Sequence, residues 1–186
     1  MKQIDMSNIK EASESTRLPA GAYICTICNV EDVPDREYLK VTYDIAQGDY
    51  RGYYKSLRDE HPDWSWVGSY VKSYKQKALP MFKRFCSAVS KSNNGFVFDG
   101  GAVNSDEQTL IGKSVGIVLR EEEYYRNDGE KSTKLTVFKE FPIDKLNEQK
   151  VPDVKRLEDS ALGTPSAVGD GFMDIPFDSN NGMAFS

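Results

Sequence analysis

The run from Tyr38 to Ala46 constrains the fold more than any other part of the sequence, because apolar and polar residues alternate along it without a break. Successive side chains of a β-strand point to opposite faces, so this alternation predicts a strand with one face in a core and the other in water. The predicted core residues are Leu39, Val41, Tyr43 and Ile45, and the predicted outward residues are Tyr38, Lys40, Thr42 and Asp44.

Further strands are predicted on both sides of this run. The segment 23–30 is rich in β-branched and aromatic residues and predicts the first strand, and segment 50–57, after the turn at Gly48, can return as the third. Strands are also expected at 114–124 and 134–141, joined by the hairpin signal Asn127-Asp128-Gly129, and segment 96–98 can form a short one.

One helix is clearly indicated. Pro80 suits a first helical turn, and the apolar stripe that follows has helical spacing. Its members are Phe82, Phe85, Cys86 and Val89. The segment 58–79 before it is less regular, and its second half could form a short helix.

The order of three strands, a helix and two strands is that of a five-stranded OB-like Greek-key barrel, with the helix between strands 3 and 4. A half-barrel or a small sandwich could use the same elements. We expect three regions: a flexible N-terminal segment (1–16), an OB-like domain (17–156) and a disordered acidic C-terminal tail (157–186), where large apolar residues become scarce.

Charge is distributed unevenly. The formal net charge of the chain is −5. From Val151 onward there are two basic and six acidic residues, whereas from Arg51 to Lys91 there are nine basic and three acidic residues. This pattern is typical of a basic binding surface followed by an acidic tail.

The N-terminal segment lacks the apolar centre of a secretory signal, and no apolar run is long enough to span a bilayer, so a cytoplasmic protein is expected. Three cysteines do not make a disulfide framework, which agrees with a reducing compartment. Cys25 and Cys28 lie three apart on a predicted strand and point to opposite faces, so they cannot easily share a metal with Cys86 and His61. We expect buried structural thiols, no metal and no cofactor.

Aromatic and basic residues are interleaved between Asp49 and Arg84. Single-stranded nucleic acid requires this pair of properties, because its bases stack on aromatic rings and its phosphates pair with Lys and Arg. The alternative is that these aromatics belong to the core. The predicted nucleic-acid-binding residues are Arg51, Tyr53, Tyr54, Lys55, Trp64, Trp66, Tyr70, Lys72, Tyr74, Lys75 and Lys77. Trp64, Trp66, Tyr70 and Tyr74 are the aromatics expected to be exposed.

Enzyme signatures are weak. Gly112-Lys113-Ser114 imitates the end of a phosphate-binding loop, but Glu107 stands where its first glycine should be and a strand follows. The run 121–123 of three glutamates lies on a predicted strand, where neighbouring side chains diverge. With one histidine, a hydrolytic triad has little support, so we expect no enzymatic activity.

Several short segments, in this order, resemble phage-encoded single-stranded-DNA-binding proteins of Gram-positive hosts. They are 18–23 (LPAGAY), 39–48, 82–85 (FKRF), 92–93, 112–113 and 120–124 (REEEY). The resemblance covers about residues 17–157 and implies an OB-fold, non-enzymatic protein of phage replication or recombination. The alternatives are a strand-annealing or recombination-mediator protein, and a β-rich phage structural or assembly protein.

The tail carries a second resemblance. Asp174, Ile175, Pro176 and Phe177 resemble the acidic tip with which bacterial single-stranded-DNA-binding proteins recruit replication and repair enzymes. An apolar knob fits a pocket, and the acids meet its basic rim. The bacterial tip ends in the phenylalanine carboxylate, whereas here residues 178–186 follow. The resemblance implies recruitment of replication or recombination proteins, and the alternative is a solubilising tail.

Overall fold

The computed structural model describes residues 17–157. Five strands form one antiparallel sheet in the order β3-β2-β1-β4-β5. The strands are β1 (Gly21–Val33), β2 (Tyr38–Ile45), β3 (Ser69–Ser73), β4 (Ser114–Tyr125) and β5 (Lys131–Phe141). The α-helices are α1 (Tyr53–Glu60), between β2 and β3, and α2 (Leu79–Ser92), between β3 and β4. Short 3-10 helices occupy Pro34–Arg36, Gln76–Ala78, Glu107–Leu110 and Ile143–Glu148.

The alternation in β2 is confirmed. Leu39, Val41, Tyr43 and Ile45 are all buried, and they pack with the apolar faces of β1 and β4 and with α2. Of the predicted outward residues, Tyr38, Lys40 and Thr42 are partly exposed. Asp44 is 9% exposed because α1 covers it. The protein is therefore mainly β, with its core between the sheet and α2.

The hairpin and the main helix are also confirmed. β4 and β5 pair from Gly116 with Phe141 to Tyr125 with Lys131. The turn between them is closed by a hydrogen bond from the Arg126 amide to the Glu130 carbonyl at 2.8 Å, and Gly129 has a φ of +82°. In α2, the predicted stripe Phe82, Phe85, Cys86 and Val89 is buried.

Three local predictions were wrong. Segment 50–57 does not return as a strand, because most of it belongs to α1. The third strand is instead Ser69–Ser73, in the segment where a short helix was predicted. Segment 96–98 forms no strand: Phe98 donates its amide to Ser90 Oγ of α2 at 2.9 Å and accepts from the same hydroxyl.

The two edge strands of the sheet, β3 and β5, contact each other through side chains. Lys72 of β3 pairs with Glu140 of β5, with Nζ 2.7 Å from Oε1, and both side chains are nearly inaccessible to solvent. Within residues 17–157, the backbones of β3 and β5 are not paired, so the sheet is not closed by hydrogen bonds.

The cysteines follow the strand geometry in part. Cys25 and Cys86 are buried, as predicted, but Cys28 is exposed. The register of β1 against β2 shifts between Ile27 and Asn29, so Cys28 occupies a bulge. Neither α1 nor α2, nor a 3-10 turn between Arg17 and Leu157, has the length and apolar character of a membrane-spanning helix.

Candidate nucleic-acid interface

The side of the sheet that faces away from the core carries a cluster of aromatic, basic and hydroxyl side chains. Lys40 lies across from Val71, and Thr42 lies across from Ser69, so the outward residues of β2 and β3 share one surface. Thr42 and Ser69 share a hydrogen bond of 2.9 Å between their hydroxyls. We call this surface, together with Trp66 above it, the outer face; its residues are Tyr38, Lys40, Thr42, Trp66, Ser69 and Val71.

Trp66 and Lys40 form the centre of the outer face. The Lys40 ammonium lies 4.2 Å from the centroid of the Trp66 ring, which is a favourable cation–π distance. Trp66 is nevertheless 54% exposed. Glu31 lies directly across from Lys40 in the β1–β2 register, so an acidic side chain shares this face. The arrangement presents an accessible aromatic ring with a cation beside it.

A second exposed indole lies with Trp66 in the segment 61–68 between α1 and β3, which we call the tryptophan loop. Trp64 is 53% exposed, and its ring stacks on His61 with the centroids 4.0 Å apart and the planes 11° from parallel. The imidazole covers one face of the indole, so the stacked pair offers the other face to a planar ligand. The Trp64 amide donates to the His61 carbonyl at 3.0 Å, which fixes the turn between them.

Backbone contacts hold this loop against β2. Arg58 Nη1 donates to the Val67 carbonyl at 3.2 Å and to the Tyr43 carbonyl at 3.4 Å. The Tyr43 amide in turn donates to the Gly68 carbonyl at 2.7 Å. Gly68 has a φ of +62°, and a Cβ there would lie 2.7 Å from the Tyr43 carbonyl oxygen and 2.8 Å from Tyr54 Cβ. Only glycine fits this approach, which places the tryptophan loop on the sheet.

Asp44 explains why α1 forms beside the outer face. Its carboxylate accepts hydrogen bonds from the backbone amides of Tyr54 at 2.9 Å and Lys55 at 3.1 Å. These amides belong to the first turn of α1 and have no partner within the helix. A carboxylate at a helix N-terminus also interacts favourably with the helix dipole. Asp44 therefore caps α1 from the neighbouring strand.

The structure removes three predicted residues from the candidate surface. Tyr70 was expected to be exposed, but it is 9% exposed and packs against Tyr43 with centroids 5.7 Å apart. Tyr54 is also in the core, 5.1 Å from Tyr43 between ring centroids. Lys72 points inward to Glu140. Tyr54 and Tyr70 therefore pack on Tyr43 of β2 inside the core, and Lys72 links β3 to β5.

The other predicted residues surround α1 and the end of β3. Arg51 is exposed, Tyr53 is half-buried against Tyr50 and Tyr54, and Lys55 pairs with Asp59 at 3.1 Å on the surface of α1. Tyr74 was expected to be exposed, but it is half-buried, and its hydroxyl donates to Asp32 at 2.8 Å. Lys75 and Lys77 are exposed after β3. Trp64 and Trp66 are exposed, as predicted.

Lys40 and Tyr38 were not among the predicted binding residues, although their outward position in β2 was predicted. They lie on the solvent-facing side of β2, and only the fold shows that Trp66 lies above that side. Two further pairs lie on the β4–β5 hairpin: Arg120 is 4.9 Å from the Phe138 ring, and Lys134 is 5.4 Å from the Tyr124 ring.

Burial raises the pKa of two groups, the Cys28 thiol beside Arg58 and the Tyr74 hydroxyl beside Asp32. Desolvation raises the pKa of the Cys28 thiol, and the neighbouring Arg58 guanidinium opposes this shift. Desolvation, followed by the hydrogen bond to Asp32, raises the pKa of Tyr74 to about 12. Both groups are therefore uncharged at neutral pH.

No protein-family model matches the chain, and no curated protein is similar to it in sequence. The partner-binding residues predicted in the tail, Asp174, Ile175, Pro176 and Phe177, lie outside the described residues, as do the segments 1–16 and 158–186. The candidate site accordingly depends on the geometry of residues 17–157.

Proposed function

We propose that this protein binds single-stranded DNA with little sequence preference, through the outer face and the tryptophan loop above it. The observation that carries the proposal is the pair of exposed indoles, Trp64 and Trp66, held next to the sheet with Lys40 beside one ring. Stacking of a base on an aromatic side chain contributes roughly 1–3 kcal/mol and tolerates any base. Lys40 and Arg58 supply positive charge for the phosphates.

The strand order supports an OB-like barrel as the scaffold of this function. In a closed five-stranded barrel with this connectivity, β3 would lie beside β5, and the Lys72–Glu140 pair already links these two strands. The helix between β3 and β4 agrees with the element order predicted for that barrel. In such barrels, the surface of strands 2 and 3 binds oligonucleotides, and the outer face is that surface here.

The biological setting that we propose is replication or recombination of phage or mobile-element DNA in the cytoplasm, without catalysis. Its support is the sequence resemblance in segments 17–157. Recruitment of replication or recombination proteins through residues 174–177 is proposed on the separate resemblance of that segment to the acidic tip of bacterial single-stranded-DNA-binding proteins. The fit of exposed indoles and cations to unstacked bases favours this setting over a structural or assembly protein, which would not need them.

The test is a titration of the full-length protein with an oligo(dT) strand and with duplex DNA, followed by tryptophan fluorescence at several salt concentrations. Single-stranded DNA should quench the emission, and duplex should bind more weakly. Trp66→Ala should weaken binding by about tenfold, from the loss of one stacked base. Lys40→Ala should lower the slope of log affinity against log salt by ~0.7, the value for one phosphate contact on a single strand.

Lys145→Ala is the matched control, because Lys145 is exposed and pairs with Glu148 on the 3-10 helix after β5. It should change neither the affinity nor the slope. Equal binding of duplex and single strand, or an effect of Lys145→Ala as large as that of Lys40→Ala, would contradict the proposed function.

A further inference from the structure

A groove opens on the side of the sheet opposite the outer face. Leu39, which follows Tyr38 and precedes Lys40 in β2, lines the groove, and neighbouring residues of a strand point to opposite sides. The groove lies between α2, the adjacent ends of β1 and β2, and the segment 97–107. Its volume is about 670 Å³, which is within the range of ligand-binding clefts.

The walls of the groove are largely apolar. Phe82 of α2 and Phe98 of the following segment lie 6.4 Å apart between ring centroids. Leu79 and Val97, which also line the groove, are 39% and 50% exposed. Gly100 holds the loop close, because a Cβ there would lie 2.6 Å from Phe82 Cε1. Exposed apolar side chains that continue into a cleft are typical of a docking site.

The rim of the groove is acidic. Asp32, Asp99 and Glu107 line it, and Lys83 is the one basic residue that does so in the described part of the chain. Asp99 accepts hydrogen bonds from three backbone amides, two of them at 2.9–3.0 Å, and these bonds lower its pKa and keep it ionised. The negative charges of Asp32, Glu37 and Glu107 all favour the neutral form of Tyr74, which also lines the groove.

We propose that this groove docks a short segment of a partner protein in which an apolar side chain is accompanied by Lys or Arg. The apolar residue would lie against Phe82 and Leu79, and the cation would pair with the acidic rim. The tail of this chain does not match, because its six acidic and two basic residues from Val151 onward would place like charges together. The groove and the outer face lie on opposite sides of the sheet, so partner and DNA can be bound at once.

The experiment measures fluorescence anisotropy of three labelled synthetic peptides with the full-length protein. The first is composed of Leu, Phe and Lys, the second has Glu at each Lys position, and the third is residues 170–180 of this chain. Only the Lys peptide should bind. Leu79→Ser combined with Val97→Ser should weaken it by about tenfold, from the loss of two apolar contacts. Glu107→Gln, an independent change of the rim, should weaken it by several-fold and reduce its salt dependence.

Val103→Ser is the matched control, because Val103 is 71% exposed but does not line the groove. It should leave binding unchanged. Leu79 is an exposed residue at the very start of α2, where serine has only a small cost in helix stability. Failure of the Lys peptide to bind, or equal binding of the Glu peptide or of segment 170–180, would overturn the proposal. So would self-association of the protein that the groove variants abolish, since the occupant would then be a second copy.

Discussion

Replacement of Lys72 separates a structural role from a DNA-binding role more clearly than any other change. Lys72 was predicted to bind nucleic acid, but its ammonium lies 2.7 Å from Glu140 Oε1 and 2.9 Å from Oε2. The side chain of Glu140 is 0% exposed and that of Lys72 is 11% exposed. Lys72→Met keeps the length of the side chain and removes the charge, which leaves the Glu140 carboxylate buried without its partner.

The expected cost is large. Removing one partner of a buried ion pair costs about 3–5 kcal/mol, because the remaining charge keeps its desolvation penalty. For a chain of this size, each kcal/mol lowers the melting temperature by about 2–4 °C, so a drop of roughly 6–20 °C is expected. Replacing both residues, as Lys72→Met with Glu140→Leu, should recover most of the loss, since apolar side chains can fill the site.

The assay is urea unfolding of the wild type, the two single variants and the double variant, combined with the salt dependence of single-stranded-DNA binding. We expect Lys72→Met to be strongly destabilised and, under conditions where it is folded, to keep the wild-type salt slope. A destabilisation below about 1 kcal/mol, together with a slope lowered by ~0.7, would show that Lys72 contacts phosphate and would refute our account of this pair.

Three further results are expected. Gly68→Ala should destabilise the fold by more than about 2 kcal/mol in urea unfolding, because φ is +62° and its Cβ would meet the Tyr43 carbonyl; a neutral result would contradict the loop geometry. Glu31→Gln should tighten single-stranded-DNA binding about two- to threefold at low salt, because it removes an acid across from Lys40; weaker binding would count against the outer face. In an ultraviolet titration with Tyr74→Phe as reference, Tyr74 should ionise near pH 12 instead of its usual 10. Because the folded state favours the neutral phenol, the stabilisation from this group is complete below pH 10 and should disappear as the pH rises to about 12.

The sequence was sufficient where its local signals were strong. β2 was predicted from alternation, the β4–β5 hairpin from Asn127-Asp128-Gly129, and α2 from an apolar stripe after Pro80. In each of these elements, the residues that specify the structure lie within the element or next to it. The mainly β fold and the position of α2 between the third and fourth strands therefore followed from local pattern.

The sequence was insufficient where the determinants come from distant residues. α1 is capped by Asp44, which belongs to another element, so 50–57 was assigned to a strand on its aromatic content. β3 has only five residues, and one of its inward positions is the charged Lys72, whose partner Glu140 is 68 residues away. These two errors placed the predicted third strand at 50–57 instead of 69–73 and led to the wrong prediction that Tyr70 is exposed.

The candidate site was predicted only in part. Exposure of Trp64 and Trp66 was predicted because they lie outside the regular strands and close to lysines. The contribution of Lys40 could not be seen, because its contact with Trp66 spans 26 positions of the chain and depends on the path of the loop over β2. The exposed rings were therefore predictable from the sequence, whereas the surface on which they lie was not.

The most direct test of single-stranded-DNA binding at the outer face is photo-cross-linking of the full-length protein to an oligo(dT) strand that contains iododeoxyuridine, followed by tryptic digestion and mass spectrometry. Cleavage after Arg58 and Lys72 releases the segment 59–72, which contains both tryptophans. We predict that this peptide carries the main cross-link and that Trp66→Ala reduces it. A main cross-link in segment 78–83, which lies beside the groove on the other side of the sheet, or no cross-link at all would contradict the account.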